Sequence, residues 1–474
     1  MLPPEVQTLI DDARSGLRAW LSEDTDRSGV GDLLSAEELA GEVGRAVSLG
    51  LVEDYLGVRL QHALAHRERC GCGKLKAVLQ HTRWPRKTPF GVVEVHDVYT
   101  YCRDCRSSER PLHAWLGTGQ ETWSVLVQED AIDLASDESC AKAVAKLERH
   151  HPGVRMGRTT ALRFLHEHGK RARAFIDAKL TSAERSFEHA PRGRGPIAEE
   201  LEVEYDAGMI PVATLEAIEV PEGEEPELTP VRKLPKRKKV TRYEEVKAGL
   251  VQKPGEVDRL YTLRPTGGLV PAFRDLFGLA LMKGWGEQTE VRGIADGARY
   301  IRKRMEDEFS AGDFTFILDR PHCREHLTGA GEALEKLTGT PAQEWARAAL
   351  TKLETGAVSE VVTELERAWV SSGDTPEKRD EDLRLAAGYF KHNADAVAYA
   401  EYRDKGWSTA SSEVESCHNS IVQPRLKIGG AFWHPDNVDN ILALRMLKAN
   451  GWWAAYWTEQ RRAWRLRAAD LRAA

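Results

Sequence analysis

The chain has 474 residues, of which 41% are hydrophobic and 30% charged, and its net charge is −7. This length predicts several domains rather than one core, and without a run of about 18 uncharged apolar residues the sequence excludes a membrane-spanning helix. The acidic balance excludes a uniformly basic surface for nucleic acid, so any such contact must be local. The first residues (MLPPEVQTLIDDARSG) lack the layout of a signal peptide, which predicts a cytoplasmic location.

The first predicted region, residues 1–65, is helical. Apolar residues such as Leu9, Leu17 and Leu21 recur at helical spacing, and no chemical motif accompanies them.

The second predicted region, residues 66–118, contains two pairs of cysteines on either side of a strand-like stretch (GVVEVHDVYTYC). The pairs are Cys70 with Cys72 and Cys102 with Cys105. Four thiolates bind Zn²⁺ tetrahedrally, and a metal can replace a core that is too small to fold alone. We predict a zinc ribbon with a structural Zn²⁺. The first spacer is short, so His66 or His81 is an alternative ligand, and reduced thiols without metal are the other interpretation.

The third predicted region, residues 119–196, consists of short helices with a turn (HHPG) before the last one. This pattern is similar to a helix-turn-helix, in which the start of the last helix reaches DNA. The residues expected to contact DNA there are Arg155, Arg158, Thr159 and Thr160. A helical spacer with incidental arginines is the alternative.

A Pro/Gly-rich link (APRGRGP) predicts a domain boundary near residue 196. Beyond it the charge changes sign, from an acidic stretch (219–227) to the basic run RKLPKRKK (232–239). Such a run is more often a solvated loop than a phosphate contact.

Residues 197–322 are predicted to form an α/β core. A strand leads into Asp206, a second short strand follows, VDRLYTLRPT is a third, and two more strands end at Asp296 and Asp319. With their helices these elements have the order strand, strand, strand, helix, strand, helix, strand, which is the layout of a ribonuclease H-like core. Open α/β sheets bind ligands at the carboxyl ends of their strands, where these acids are expected.

The remainder is predicted to be helical, as an insertion (323–404), an acid-bearing segment (405–430) and a tail (431–474). In the segment, Val414, Cys417, Ile421 and Val422 fall at helical spacing, and Glu415 lies beside this stripe. Glu413 is the alternative acid. Tryptophans of the tail, including Trp452 and Trp457, favour packing over base stacking.

Several motifs carry a resemblance when they are taken in order. They are Asp206 to Pro211 (Asp-x-x-Met-Ile-Pro, here DAGMIP), Asp296 to Ala298 (DGA), Leu318 to Leu327 (LDRPHCREHL), Tyr389 to Asn393 (YFKHN), Val414 to Lys427 (VESCHNSIVQPRLK), and Trp433 with Leu444-Arg445. Together they resemble the Mutator-like insertion-sequence transposases of bacteria, in the ISKra group. The match covers about residues 200 to 445.

The resemblance implies a multidomain α/β plus α protein in which a zinc ribbon and DNA-binding helices precede the core. It implies that Asp206, Asp296 and Glu415 are the catalytic acids that hold Mg²⁺ or Mn²⁺, and that Asp319 and His322 form an accessory Asp-x-x-His element. Arg425 and Lys427 are expected to contact DNA. The implied partners are double-stranded DNA and further copies of the chain, in a dimer or larger assembly at the bacterial nucleoid.

Two other functions remain open at this point. A catalytically degenerate or domesticated transposase would act only as a DNA-binding protein, and a structure-selective nuclease on the same core would cleave strands without joining them. The positions of the three acids distinguish the DNA-binding protein from an enzyme. In an enzyme their carboxylates must lie close enough together to bind two metal ions about 4 Å apart.

Overall fold

The computed structural model describes residues 4–23, 32–65, 69–116, 122–189, 197–219, 227, 235–265 and 269–473. The chain divides into two compact units. The first comprises Met1–Leu134, Ala141–Arg158 and Thr458–Ala474, and the second comprises Ala135–Cys140 and Thr159–Trp457.

The first unit is built from helices and one small antiparallel sheet. Its elements are α1 (Pro4–Glu23), α2 (Leu33–Ala65), β1 (Ala77–Thr88), β2 (Gly91–Tyr101), β3 (Ser108–Glu109), α3 (Pro111–Leu116), most of α4 (Val125–Asp137) and α5 (Cys140–His150). The strands lie in the order β1-β2-β3.

Helix α2 and the small sheet share one hydrophobic core. Alternate residues of β2, Val93 and Val95, are buried against Leu56 of α2 and Leu112 of α3. Alternation places these side chains on one face of the strand, which leaves its other face to solvent. Helix α2 therefore packs on the cysteine-rich region.

The second unit contains a five-stranded mixed sheet. Its first elements are α6 (Arg158–His189), β4 (Glu200–Ala217), β5 (Arg237–Gln252), β6 (Arg259–Pro265), α7 (Leu269–Met282), β7 (Glu290–Ala295), α8 (Arg299–Glu308) and β8 (Asp313–Leu318). The strand order is β6-β5-β4-β7-β8. Strand β5 is antiparallel to both neighbours, whereas β4, β7 and β8 are parallel to one another.

The parallel strands form the core of this sheet. In β7 every residue from Val291 to Ala295 is buried, as is typical of a strand covered on both faces. Tyr205 of β4 stacks on Phe273 of α7, with ring centroids 4.7 Å apart. Because β4, β7 and β8 are parallel, their ladders end at the same edge of the sheet.

Helices complete the chain: α9 (Arg320–Thr338), α10 (Ala342–Glu354), α11 (Val358–Ser371), α12 (Glu381–His392), α13 (Tyr399–Asp404), α14 (Ser412–Cys417), α15 (Gln423–Leu426), α16 (Pro435–Ala449) and α17 (Trp453–Ala473). A π-helical turn, His418–Val422, joins α14 to α15. Trp452 and Trp457 are buried, in agreement with the predicted packing role. No described helix combines the length and apolar character that crossing a bilayer requires.

Three predictions about local structure are wrong. The two short strands expected around Asp206 are one continuous strand, β4, so Asp206 lies within a strand and not at its end. Part of the basic run, from Arg237 onward, begins strand β5, which pairs with β4 along its length. The last helix of the predicted helix-turn-helix is not short, because α6 continues for 32 residues.

Candidate metal centres

The four cysteines of the first unit come together at the ends of two loops. Cys70 and Cys72 lie in a tight loop closed by a bridge between Arg69 and Leu75. Cys102 and Cys105 lie in the turn between β2 and β3, where the Cys102 amide donates to the Ser107 carbonyl at 2.9 Å.

The sulfur atoms of this cysteine cluster are in mutual contact. Sγ of Cys70 lies 2.8 Å from Sγ of Cys72, 3.3 Å from that of Cys102 and 3.6 Å from that of Cys105. Hydrogen bonding from Cys72 is the main cause that lowers the pKa of Cys70, to about 6. The same hydrogen bond raises the pKa of Cys72 to about 12, so the contact favours one thiolate in this pair rather than two. The close approach of all four sulfur atoms allows the cluster to bind a structural zinc ion.

The short spacer between Cys70 and Cys72 does not prevent both from joining the cluster. His81, one of the alternative ligands, lies on β1 opposite Val98 and is not in the group. His66, the other alternative, lies outside the described residues. An ion pair of 2.5 Å between Lys74 and Asp104 links the two cysteine loops.

The acids of the second unit lie at the carboxyl end of the parallel strands. The ladder between β4 and β7 ends with Glu204 opposite Ile294, so Asp206 and Asp296 each follow two residues later. Leu318 pairs with Ala295, and Asp319 comes next. Three acids from three strands thus reach the same edge, and the register explains why Asp206 belongs there although β4 continues past it.

Asp319 and His322 form a tightly bonded pair at the start of α9. One carboxylate oxygen, Oδ2, accepts from the amide of His322 at 3.1 Å and from its Nδ1 at 2.6 Å, while Oδ1 accepts from the amide of Ser411 at 2.7 Å. Burial alone would raise the pKa of Asp319, but these hydrogen bonds lower it. The bond to Asp319 raises the pKa of His322 to about 9, so the imidazole carries a positive charge at neutral pH.

Glu415 lies on α14 beside this pair. Its carboxylate can approach Asp319 and His322 to within 4.8 Å, and the three residues form a group that can hold a metal ion. Burial raises the pKa of Glu415, and the negative charges of Asp319 and Asp206 add to the shift. The alternative acid, Glu413, instead accepts a hydrogen bond of 2.8 Å from Arg259. Glu415 is the residue of the two that faces the other acids.

Asp206 is surrounded by groups of both signs. Burial raises its pKa, whereas His418 and His322 partly offset this effect and Asp296 adds to it. Oδ2 of Asp206 lies 3.8 Å from Nε2 of His418. Asp206 therefore interacts electrostatically with Asp296 and with His322. Among the described residues, the group whose ligand atoms are close enough to share a metal ion is Asp319, His322 and Glu415, and it includes neither Asp206 nor Asp296.

The loop that carries Asp296 is held by two side chains from α12 and its end. Tyr389 donates to the backbone carbonyl of Asp296 at 2.6 Å, and Asn393 donates to that of Gly297 at 3.0 Å. Gly297 has a φ of 76°, where a side chain is strained, and a Cβ there would lie 2.3 Å from Leu318. These contacts give the Tyr389 to Asn393 motif a physical role that the sequence did not reveal.

A second missed residue, Glu204, holds the segment that carries Glu415. It is 1% exposed and accepts a hydrogen bond of 2.8 Å from the amide of Val414, at the start of α14. Burial raises the pKa of Glu204 to about 8. Glu204 and Asp206 lie on the same face of β4, as expected for residues two apart in a strand, but only the tertiary structure brings Val414 to Glu204.

The residues predicted to contact DNA differ in their accessibility. Arg158 and Thr159 are exposed, Thr160 is half-buried, and exposed Arg155 pairs with Glu148 at 2.8 Å. Lys427 is exposed.

Arg425 does not fit its predicted DNA contact. It is only 3% exposed, its Nε donates to the carbonyl of Ala135 at 3.1 Å, and its guanidinium stacks on Trp433. These contacts occupy the guanidinium inside the second unit, where it stabilises the packing of α15.

Comparison with protein-family models finds none that matches the chain, and comparison with curated proteins finds no match either. The geometry of the two clusters therefore carries the functional argument.

Proposed function

We propose that the protein is a DNA transposase that cleaves the ends of a mobile element and joins them to target DNA. The observation that carries this proposal is the convergence of acids from four separate segments at one edge of the sheet. Asp206, Asp296 and Asp319 follow the parallel register. Glu415, on a helix about 100 residues further along, has its ligand atom within 4.8 Å of those of Asp319 and His322, and the negative charge of Asp206 contributes to the raised pKa of Glu415. Independent surface carboxylates have no reason to meet in this way.

The sheet supports a ribonuclease H-like core for this enzyme. The elements follow the order β4, β5, β6, α7, β7, α8, β8, with β5 as the antiparallel strand next to the first. This is the layout expected from the resemblance, and it puts Asp206 on the first strand and Asp296 after the fourth. The helices α9 to α13 then separate the last strand from Glu415, as an insertion does.

Asp206, Asp296 and Glu415 would hold two Mg²⁺ or Mn²⁺ ions, since hard cations prefer carboxylate oxygens. Bound ions of this kind activate an attacking hydroxyl or water and neutralise the charge of the leaving oxygen. The protein positions the acids: Tyr389 and Asn393 fix the loop of Asp296, and Glu204 fixes the segment of Glu415. The acids are therefore arranged before any ion binds.

Asp319 acts differently from the other acids in this proposal. It is 0% exposed, and three donors already occupy its oxygens, so it suits orienting His322 better than binding a metal. The charged imidazole of His322 is part-exposed beside Asp206 and Glu415. We assign it to the phosphate of the DNA strand, because a charged donor forms strong hydrogen bonds to phosphate oxygens.

Double-stranded DNA and a second copy of the chain are the proposed partners, since joining two ends requires two sets of acids. The net charge of −7 restricts DNA contact to local surfaces, such as the exposed Arg158 and Thr159.

The test is a cleavage and joining assay with Mg²⁺ on labelled duplexes that carry the DNA flanking the gene, with a supercoiled plasmid as target. We expect the wild type to produce 3′-hydroxyl ends and joined products, and Asp206→Asn to abolish both while duplex binding survives. Binding without cleavage by the wild type would favour a regulator, and cleavage without joining would favour a nuclease. Unimpaired cleavage by Asp206→Asn would refute the assignment.

A further inference from the structure

His418 is a buried histidine next to the acids whose role the motifs do not explain. It is 5% exposed, and it begins the π-helical turn three residues after Glu415. Its Nε2 is buried and forms no hydrogen bond to any residue that the structure describes. A buried polar atom without a hydrogen-bond partner is destabilising, so we expect Nε2 to have a partner in the working protein.

The carboxylate of Asp206 is the group that this nitrogen faces. Nε2 lies 3.8 Å from Oδ2 of Asp206. A hydrogen bond between nitrogen and oxygen requires about 2.9 Å, so a movement of about 1 Å closes the gap.

The backbone around His418 is shaped to admit its ring. A Cβ at Gly208, two residues after Asp206, would lie 2.7 Å from Nδ1 and 2.8 Å from Cε1 of His418. Only glycine therefore allows the ring to lie flat on β4 at this point. The π-helical turn adds one residue to the helical turn that carries the ring, and such turns occur frequently at functional sites.

We propose that His418 is a positioning residue for Asp206, in which Nε2 donates to Oδ2 and holds the carboxylate in the orientation that binds a divalent cation. The inference rests on the proposed function, because that function makes Asp206 a metal ligand. Carboxylates that bind metals are themselves held by hydrogen bonds, and loss of such a partner typically costs 10- to 100-fold in metal affinity or activity. Nε2 cannot donate to Oδ2 and bind a metal at once, so in this proposal Nε2 of His418 is not a metal ligand.

The experiment measures Mn²⁺ affinity by electron paramagnetic resonance in the absence of DNA. We expect His418→Leu to weaken binding by about 10- to 100-fold, whereas His418→Gln, which keeps a donor near the position of Nε2, stays within about threefold of the wild type. Asp206→Asn identifies the site. His166→Leu is the matched control, because His166 also has a buried Nε2 without a hydrogen bond among the described residues but lies on α6.

Gly208→Ala provides an independent variant, since the added methyl group would displace the ring of His418. We expect it to weaken Mn²⁺ binding in the wild type but to add little in a His418→Ala background, where the space is free. Thermal unfolding in EDTA shows whether a variant has lost the positioning of Asp206 or the stability of its fold. A variant that has lost only the positioning should melt near the temperature of the His166→Leu control.

Equal Mn²⁺ affinity in His418→Leu and the wild type would overturn the inference, and so would equal losses in His418→Leu and His418→Gln. A wild type whose Mn²⁺ binding depends on both Asp206 and His418, but which neither cleaves nor joins DNA, would refute the proposed function and leave this inference intact.

Discussion

The two candidate metal centres, the cysteine cluster and the acids at the sheet edge, are held in place in different ways. The cysteines lie at the ends of loops beside a sheet whose third strand, β3, has only two residues. The acids lie at the edge of a five-stranded sheet whose β7 is buried throughout. Ligands of the first cluster hold its loops together, whereas the core and a set of hydrogen bonds hold the ligands of the second. A metal bound at the cysteines would therefore be a structural component, whereas in the proposed function a metal bound at the acids would be a reagent that exchanges with solvent.

The largest expected effect concerns the choice between the two glutamates of α14. Glu415→Gln should lower Mg²⁺-dependent strand cleavage by about 1,000-fold or more, since a lost metal ligand removes several kcal/mol of transition-state stabilisation. Glu413→Gln should change cleavage by less than about threefold, because Glu413 pairs with Arg259 at a partly exposed position. Cleavage rates at saturating Mg²⁺ measure both. The reverse ranking would exchange the roles of the two residues.

At the cysteine cluster we expect a loss of structure rather than of chemistry. Cys102→Ser with Cys105→Ser should remove one equivalent of zinc per chain and expose the amides of β1 and β2 to hydrogen exchange, while β4 and β7 remain protected. Elemental analysis and hydrogen exchange measure these outcomes.

Cys140→Ser is the control for this experiment, because Cys140 is outside the cluster. If the double variant kept its zinc and its protected amides, the assignment of the cysteine cluster as a structural zinc site would be wrong.

The next prediction concerns the Asp319–His322 pair among the acids at the sheet edge. Asp319→Asn removes the charged acceptor that raises the pKa of His322 to about 9, so this pKa should fall toward 6.5. In the wild type the pair stabilises the fold fully below pH 6.5, and this contribution disappears as the pH rises through 9. NMR titration of the metal-free protein measures the shift, and His326 is the internal reference. An unchanged pKa of His322 in the variant would mean that Asp319 does not stabilise the positive charge of His322.

The last expected effect concerns the stability of the fold and comes from Glu204, which holds the segment of Glu415. Because burial raises its pKa from 4.5 to about 8, the folded state retains a proton that the unfolded state releases. Stability should therefore fall as the pH rises between these values, by up to about 1.4 kcal/mol per pH unit. Glu204→Gln keeps an acceptor for Val414 and should flatten this slope in denaturant unfolding. A slope equal to that of the wild type would indicate that Glu204 is ionised when buried.

Much of the fold was predictable from local sequence patterns, and the predictions that failed did so for local reasons. Helices α9 to α12 and the strands before Asp296 and Asp319 were predicted because their apolar residues repeat at helical spacing or form short buried runs. Strand β5 was missed because it begins with Arg237, Lys238 and Lys239, which form an exposed edge where charge is tolerated. The predicted number of strands in the sheet of the second unit, five, nevertheless agrees with the structure. The prediction divided β4 into two strands, which compensated for the missing β5.

The candidate site was predictable as a set of residues but not as an arrangement. Cys70, Cys72, Cys102 and Cys105 could be paired by spacing, because short loops bring ligands together over short distances. Asp206 and Glu415 are more than 200 residues apart, and only the register of β4 with β7 and the path of α14 bring them to one edge. His418, Glu204 and Tyr389 were missed because each is significant only through a contact with a distant segment.

The sequence by itself indicated the candidate ligands, their chemical class as soft thiolates or hard carboxylates, and most of the helical periodicity, because these are properties of single residues and short windows. The tertiary structure alone decided that Arg425 is buried against Ala135 and Trp433, that Asp319 is saturated by hydrogen bonds, and that His418 faces Asp206. Burial and hydrogen-bond partners depend on which segments pack together, and no short stretch of sequence contains that information.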